Sequence, residues 1–268
     1  MVLPPSGNDC AAIVTGASSG IGAEFARILF RRGYRVVLVA RNTDRLKQLA
    51  ERLGPRAHPM PADLSDRTVR VDLTDRIAAL GLVPDILINN SGISTLGLVA
   101  KSVPEQELNL VEVDVAAVVE LCSRFLPGMV ERCRGAVLNV ASMAAFGPLP
   151  GQAAYAAAKA FVLSYTYSLR GELRGTGVTA TALCPGPVDT GFSDTAGFTK
   201  EEAENSLPQV MWVPADQVAQ AGIDGLAAGK AVVIPGRVNR IASAVVRAAP
   251  AQLLASLLAR RHPAMKRD

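Results

Sequence analysis

Thr15-Gly16-Ala17-Ser18-Ser19-Gly20-Ile21-Gly22 is the stretch from which the rest of the chain is read. Cys10–Thr15 is a short apolar run with the character of a strand. Gly20–Arg32 places Ile21, Phe25, Ile28 and Leu29 at helical spacing. The stretch therefore turns a strand into a helix and carries glycine at 16, 20 and 22. Glycine permits the tight turn and lets the backbone come close to an anion. The amides and the positive end of the following helix then face that anion. Gly16, Ser18, Ser19, Gly20, Ile21 and Gly22 are accordingly the first candidate ligand residues. The same residues contain a second pattern, because Gly16-Ala17-Ser18-Ser19-Gly20 fits G-x-S-x-G, the nucleophile turn of α/β-hydrolases. That chemistry needs a later acid and then a histidine. Only His58 and His262 exist, and His262 lies in a basic tail, so the hydrolase reading is disfavoured.

Outward from the turn, short apolar runs alternate with amphipathic stretches. Gly33 closes the first helix. Arg35–Ala40 is nearly continuous in apolar residues, as expected of a strand covered on both faces. A helix follows from about Asp44 to Leu53. Asp85–Asn89, Gly135–Val140, Val178–Leu183 and Ala231–Ile234 read as further strands, with long helices at Pro104–Val130 and Gln152–Leu173. This alternation predicts an α/β fold of Rossmann type, a doubly wound parallel sheet with helices on both faces. Ligands of such sheets bind at the C-terminal ends of the strands. Arg41 stands at the end of the second strand, nineteen residues beyond Gly22. An acid there would bind the ribose hydroxyls of NAD, whereas an arginine favours the 2′-phosphate of NADP. Asp44 is the alternative ribose ligand, although Asn42-Thr43-Asp44 reads as a helix cap.

The 268 residues, 49% hydrophobic and 19% charged, suit one globular α/β domain. Residues 1–236 are expected to form the dinucleotide-binding catalytic domain, with a substrate lid at about 191–214, and residues 237–268 a basic amphipathic tail. From Lys230 onward the charge is +7, so the overall +4 leaves residues 1–229 at −3. A nucleic-acid surface on the main body is disfavoured. The four cysteines are widely spaced without a C-x-x-C pair, so neither a metal site nor a disulfide framework is expected. Pro4, Pro5, Gly7 and Asp9 interrupt any apolar leader, so no signal peptide is read and a cytoplasmic location is expected.

Tyr155 and Lys159 lie four apart in the helix-favouring run AAYAAAKAF, and so share one helical face. A cation beside a phenol favours phenolate and suits acid–base work near neutral pH. Ser142 follows the strand Gly135–Val140, where a hydroxyl can reach the crevice or simply cap a turn.

TGASSGIG, Asn89-Asn90-Ser91-Gly92, Ser142, Tyr155 with Lys159, and Pro185-Gly186, in this order, resemble the short-chain dehydrogenase/reductase family, in its compact single-domain branch. The resemblance spans Ala11 to about Gly236. It implies about seven parallel strands, a homodimer or homotetramer, and hydride transfer between NADP and a small-molecule carbonyl or alcohol. It implies that Tyr155 exchanges the proton, that Lys159 lowers the Tyr155 pKa and holds the nicotinamide ribose, and that Ser142 binds the substrate oxygen. Asp63 and Leu64 would line the adenine pocket. Asn89, Asn90, Ser91 and Gly92 match the family's N-N-A-G with serine for alanine. Pro185, Gly186, Val188 and Thr190 would meet the nicotinamide amide. Asp114 aligns with the family's relay asparagine, a departure that would place a carboxylate near Lys159 through water. Phe192, Phe198, Leu207, Val210, Met211 and Trp212 in the lid suggest an apolar substrate. The alternative function is a catalytically weak dinucleotide-binding sensor or scaffold. Arg247 and Pro250 argue against a membrane span within Ile241–Ala259. That segment reads as a helix packed on the body or on another subunit, in preference to one lying on an anionic membrane.

Overall fold

The computed structural model describes residues 3–7, 9–190 and 207–259. The central strands are β1 (Cys10–Thr15), β2 (Arg35–Ala40), β4 (Val83–Asn89), β5 (Gly135–Val140) and β6 (Val178–Leu183). Every residue of β1, β5 and β6 is buried, so these runs need not alternate in polarity. With β3 (Ala57–Pro61) and β7 (Val232–Val233) they form a seven-stranded sheet in the order β3-β2-β1-β4-β5-β6-β7. All pairings are parallel.

Successive strand residues face opposite layers. One face of the sheet, with Ile13, Val37, Leu87 and Val137, packs against α3 (Arg67–Ala78), α5 (Ala117–Glu131) and α6 (Ala153–Glu172) through Leu73, Leu121, Phe125 and Val162. The other face, with Val14, Leu38, Ile88 and Leu138, packs against α1 (Gly20–Arg31), α2 (Thr43–Leu53) and α7 (Ala215–Ala227) through Phe25, Leu29, Leu46 and Ile223. The chain winds outward one way from β1 and the other way from β4. The crevice between the C-terminal ends of these two neighbours is thus the switch point of the sheet.

Four sequence expectations are corrected. β3 (AHPMP) had not been read as a strand; its Pro59 and Pro61 lack amide donors, which is tolerated because β3 is an edge strand. The strand expected at Ala231–Ile234 is reduced to Val232–Val233. The long helix expected at Pro104–Val130 is α4 (Pro104–Val111), one π-helical turn at Glu112–Ala116, and α5. The buried Arg70 ties the start of this turn to the first turn of α5. Its Nη2 donates to Glu112 Oε2 at 2.9 Å and its Nε to Glu120 Oε2 at 2.8 Å. Finally, the described part of the tail, through Ala259, is two helices, α8 (Arg237–Ala248) and α9 (Ala251–Ala259), bent by 120° where Pro250 intervenes. Of the expected lid, residues 191–206 lie outside the described residues.

Candidate active site

Three loops converge at the switch point. The glycine turn takes left-handed backbone at Gly16 (φ +65°) and Gly20 (φ +53°). A Cβ at Gly16 would meet Asn90 Nδ2 at 2.7 Å, and one at Gly20 would meet the Thr190 Cβ at 2.8 Å. The turn thus lies directly between Asn90-Ser91 on one side and Thr190 on the other. Thr15, which sequence reasoning passed over, holds this junction. Its hydroxyl donates to Ile88 O and accepts from the amides of Asn90 and Ser91, both at 2.9 Å. A threonine immediately before the first glycine was the available signal. Asn90 Nδ2 donates to Thr15 O at 2.9 Å.

Ser19 caps α1 without a side-chain hydrogen bond, and no acid stands in the first turn. The first amides of α1 therefore keep their donors for an external anion, and no carboxylate repels one. Ser18 and Ile21 are half-buried beside them, and Ser19 is exposed. A pyrophosphate fits this cradle: the backbone is open where a side chain would fill it, and the helix end is uncapped. Arg41 is exposed one residue past β2. Asn42 is the cap of α2, its side chain accepting from Arg45 N at 2.9 Å, which confirms the cap reading of that segment. Asp63 Oδ1 accepts from Ser65 N and Ser65 Oγ, closing a turn after β3, and Leu64 is buried next to it.

Asn89 differs from its neighbours. Its side chain is buried and donates to Asn139 Oδ1 at 2.8 Å, and Asn139 donates onward to Thr166 Oγ1. It supports the crevice from beneath. The loop after β6 is joined to Ser142 by Met143 N donating to Pro185 O at 2.9 Å. Gly186 lies against Asn239 of α8, and Val188 packs on the core.

Ser142 caps the short helical turn Met143–Phe146, its Oγ accepting from Ala144 N at 3.1 Å. The cap reading of Ser142 is met, and its hydroxyl also hydrogen-bonds the phenol of Tyr155. Tyr155 and Lys159 share one face of α6, with the ammonium 5.7 Å from the ring centroid. Lys159 Nζ donates to Val140 O at 3.2 Å. In place of the expected water link, Asp114 Oδ2 lies 2.9 Å from Lys159 Nζ, a direct and buried ion pair. Its Oδ1 accepts from Ile93 N at 2.8 Å. The π turn puts Asp114 there, since an extra residue in the turn changes which side chain faces α6. Gly92 is the floor, for a Cβ on it would sit 3.1 Å from both Asp114 Oδ2 and Lys159 Nζ.

The electrostatics follow from burial and this pair. Burial pushes the Tyr155 phenol above its ordinary value, the Lys159 ammonium and Ser142 pull it back, and Asp114 pushes it up again. Burial alone would lower Lys159, but Asp114 and Tyr155 together outweigh it and hold the ammonium above its ordinary value. Next to this cluster, Gln152 Nε2 donates to Ser94 Oγ at 2.7 Å and Gly97 N to Gly151 O at 2.9 Å. These two bonds fasten the loop after β4 to the start of α6, and neither was apparent in the sequence. Among the described residues no cluster of side chains suited to a metal ion occurs.

An anion cradle and a proton-exchanging group opening on one crevice are what a dinucleotide-dependent oxidoreductase requires. The family model described as short chain dehydrogenase matches residues 10–201, and the chain belongs to the short-chain dehydrogenase/reductase family, whose members are oxidoreductases. The probable oxidoreductase EphD of Mycobacterium tuberculosis is 37% identical over 194 residues, which are 71% of this chain and 33% of that protein. The chain thus spans about a third of the length of these mycobacterial relatives. A short-chain dehydrogenase from Sphingobium yanoikuyae, solved in complex with NADPH, is 31% identical with a TM-score of 0.77, covering 92% of this chain and 95% of that one. A 3-ketoacyl-(acyl-carrier-protein) reductase from Brucella melitensis, solved with NADH, is 28% identical with a TM-score of 0.76, covering 85% and 97%.

Proposed function

We propose that this protein is an NADP(H)-dependent oxidoreductase acting on a carbonyl/alcohol pair, with an apolar small-molecule substrate. The observation that carries the reading is the meeting of Ser142, Tyr155 and Lys159 beside an uncapped, glycine-lined helix end. The glycine turn, Asn90, Ser91, Gly92 and Thr190 would hold the dinucleotide, with Arg41 at its 2′-phosphate. When bound, the nicotinamide supplies or accepts the hydride. In the reduction direction Tyr155 Oη gives its proton to the carbonyl oxygen, and the Ser142 hydroxyl holds that oxygen in place. The phenolate left behind is stabilised by the Lys159 ammonium. Lys159 cannot drift from the phenol, because Asp114 and Val140 O hold its other side. Asp114 is thus a positioning residue. Oxidation of an alcohol runs the same proton path in reverse. A panel of ketones and aldehydes offered with NADPH tests the reading, and turnover of at least one carbonyl is the expected result.

Cofactor choice should rest on Arg41. Arg41→Asp exchanges a charge-assisted contact for a repulsion. A difference of about 3 kcal/mol corresponds to a change of roughly 100-fold in the NADPH/NADH ratio of kcat/KM. NADPH is preferred by the parent and NADH by the variant. An unchanged ratio would move the selectivity elsewhere, with Arg45 next in reach.

The Asp114 carboxylate should set the pH range. Oxidation needs the Tyr155 phenolate, and the Tyr155 pKa is raised, so oxidation is expected to grow only toward alkaline pH. Reduction needs the protonated phenol and should persist to higher pH. Asp114→Asn removes one upward push on Tyr155, so the oxidation limb should move acidward by about one pH unit. The check is kcat/KM against pH under conditions where chemistry limits the rate. Superimposable profiles would remove Asp114 from the electrostatics of the pair.

A further inference from the structure

α8 has two different sides. Its inner side is fixed to the rim of the crevice. Asn239 is buried and donates to Met211 O at 2.9 Å and Pro235 O at 3.1 Å. Ser243 is buried beside it. A Cβ on Gly147, just beyond the Ser142 turn, would touch Val246 Cγ1 at 3.0 Å and Leu254 Cδ1 of α9 at 3.4 Å. The helix is therefore a docked part of the body, and its orientation is set by these contacts.

Its outer side is apolar and uncovered. Ile241 is 68% exposed and Val245 63%, values ordinarily found for charged residues. α9 adds Leu253 and Leu257, also exposed. The expectation that this segment packs its apolar residues onto the body is met only by the inner side. The charges that α8 itself carries are all of one sign. Arg237, Arg240 and Arg247 are the charged residues of α8, and no acid occurs from Ala231 through Arg267, where Arg260, Arg261, Lys266 and Arg267 continue the series in sequence. No single helix among the described residues is long and apolar enough to cross a membrane. The bend of 120° between α8 and α9 sets two short apolar helices at an angle to each other.

We propose that this face docks on an anionic lipid bilayer, with Ile241 and Val245 entering the acyl boundary and the arginines meeting lipid phosphates and carboxylates. The one-signed charge selects this occupant. An exposed apolar helix face whose own charges are all cationic gains from an anionic surface at Arg237 and Arg240, while Arg247 rests over the Phe146 ring. A second copy apposing the same face about a two-fold axis would bring arginine against arginine. The docking does not rest on the catalytic reading.

The test is co-sedimentation of the full chain with phosphatidylcholine vesicles, with and without phosphatidylserine. The parent is expected to bind the vesicles containing phosphatidylserine, to bind pure phosphatidylcholine far less, and to lose binding as salt is raised. R237Q/R240Q should weaken binding by about fivefold per arginine. I241E/V245E should weaken it by at least about tenfold, while its exposed positions leave cooperative melting unchanged. Equal binding to both vesicle types, binding to neither, or parent-like binding by both variants would overturn the proposal. So would light scattering in which I241E/V245E falls to a smaller assembly than a parent that ignores vesicles, because the occupant would then be a second copy.

Discussion

Tyr155→Phe is expected to lower kcat/KM for carbonyl reduction by about 10²- to 10⁴-fold, the usual share of a general acid, while the cofactor Kd stays within about twofold. The substitution removes one oxygen and keeps the ring, so the packing of α6 against the crevice is preserved. The proton that Tyr155 would give to the substrate oxygen then has no placed donor, because Lys159 is engaged by Asp114 and Val140 O. Ser142 can hydrogen-bond the substrate oxygen but cannot substitute as the acid, since a serine hydroxyl is ordinarily far less acidic than a phenol. Steady-state kinetics on a substrate of the parent, with fluorescence titration of NADPH, checks both halves. Near-parent turnover would remove Tyr155 from the proton path.

Gly22→Ala is expected to weaken cofactor binding by roughly 100-fold, the loss of two hydrogen bonds to a charged group at about 1.5 kcal/mol each. A methyl group at this position would lie 2.1 Å from Gly16 O and 2.6 Å from Asn90 Nδ2. The first of these is backbone and cannot swing aside. The turn must open, and the amides that start α1 leave the position where they converge. Isothermal titration with NADPH measures the loss, and a cooperative thermal melt shows that the body of the fold remains. Parent-like affinity would mean that the pyrophosphate does not rest on this turn.

The parts of the molecule that were legible in sequence are those decided locally. Cys10–Thr15, Arg35–Ala40, Gly135–Val140 and Val178–Leu183 are dense enough in buried apolar residues to be read as central strands, and all four carry the bounds expected of them. Gly16, Gly20 and Gly22 announce the turn, and four-residue spacing puts Tyr155 and Lys159 on one face. The edge strand β3 escaped because Pro59 and Pro61 oppose a strand wherever an inner position is assumed, and only the sheet order reveals an edge. The π turn escaped because nothing in Glu112-Val113-Asp114-Val115 breaks helical periodicity; what braces it is tertiary, Arg70 of α3 bonding Glu112 and Glu120. Hence the expected water link between Asp114 and Lys159 gives way to a direct contact, which the turn's geometry allows and periodicity alone does not reveal. The tail was read by composition, which does not show which of its apolar residues face inward. Val246 and Leu254 meet Gly147, whereas Ile241 and Val245 meet solvent.

Whether hydride passes between nicotinamide and a carbonyl carbon on this protein is tested most directly with NADPH deuterated at C4 of the nicotinamide. The protein is incubated with this cofactor and a panel of apolar ketones and aldehydes, and products are analysed by mass spectrometry and NMR. The expected product is an alcohol carrying one deuterium at the carbinol carbon, formed in step with oxidation of the cofactor and lost in Tyr155→Phe. Saturable binding of NADPH with no deuterium delivered to any carbonyl of the panel would contradict it.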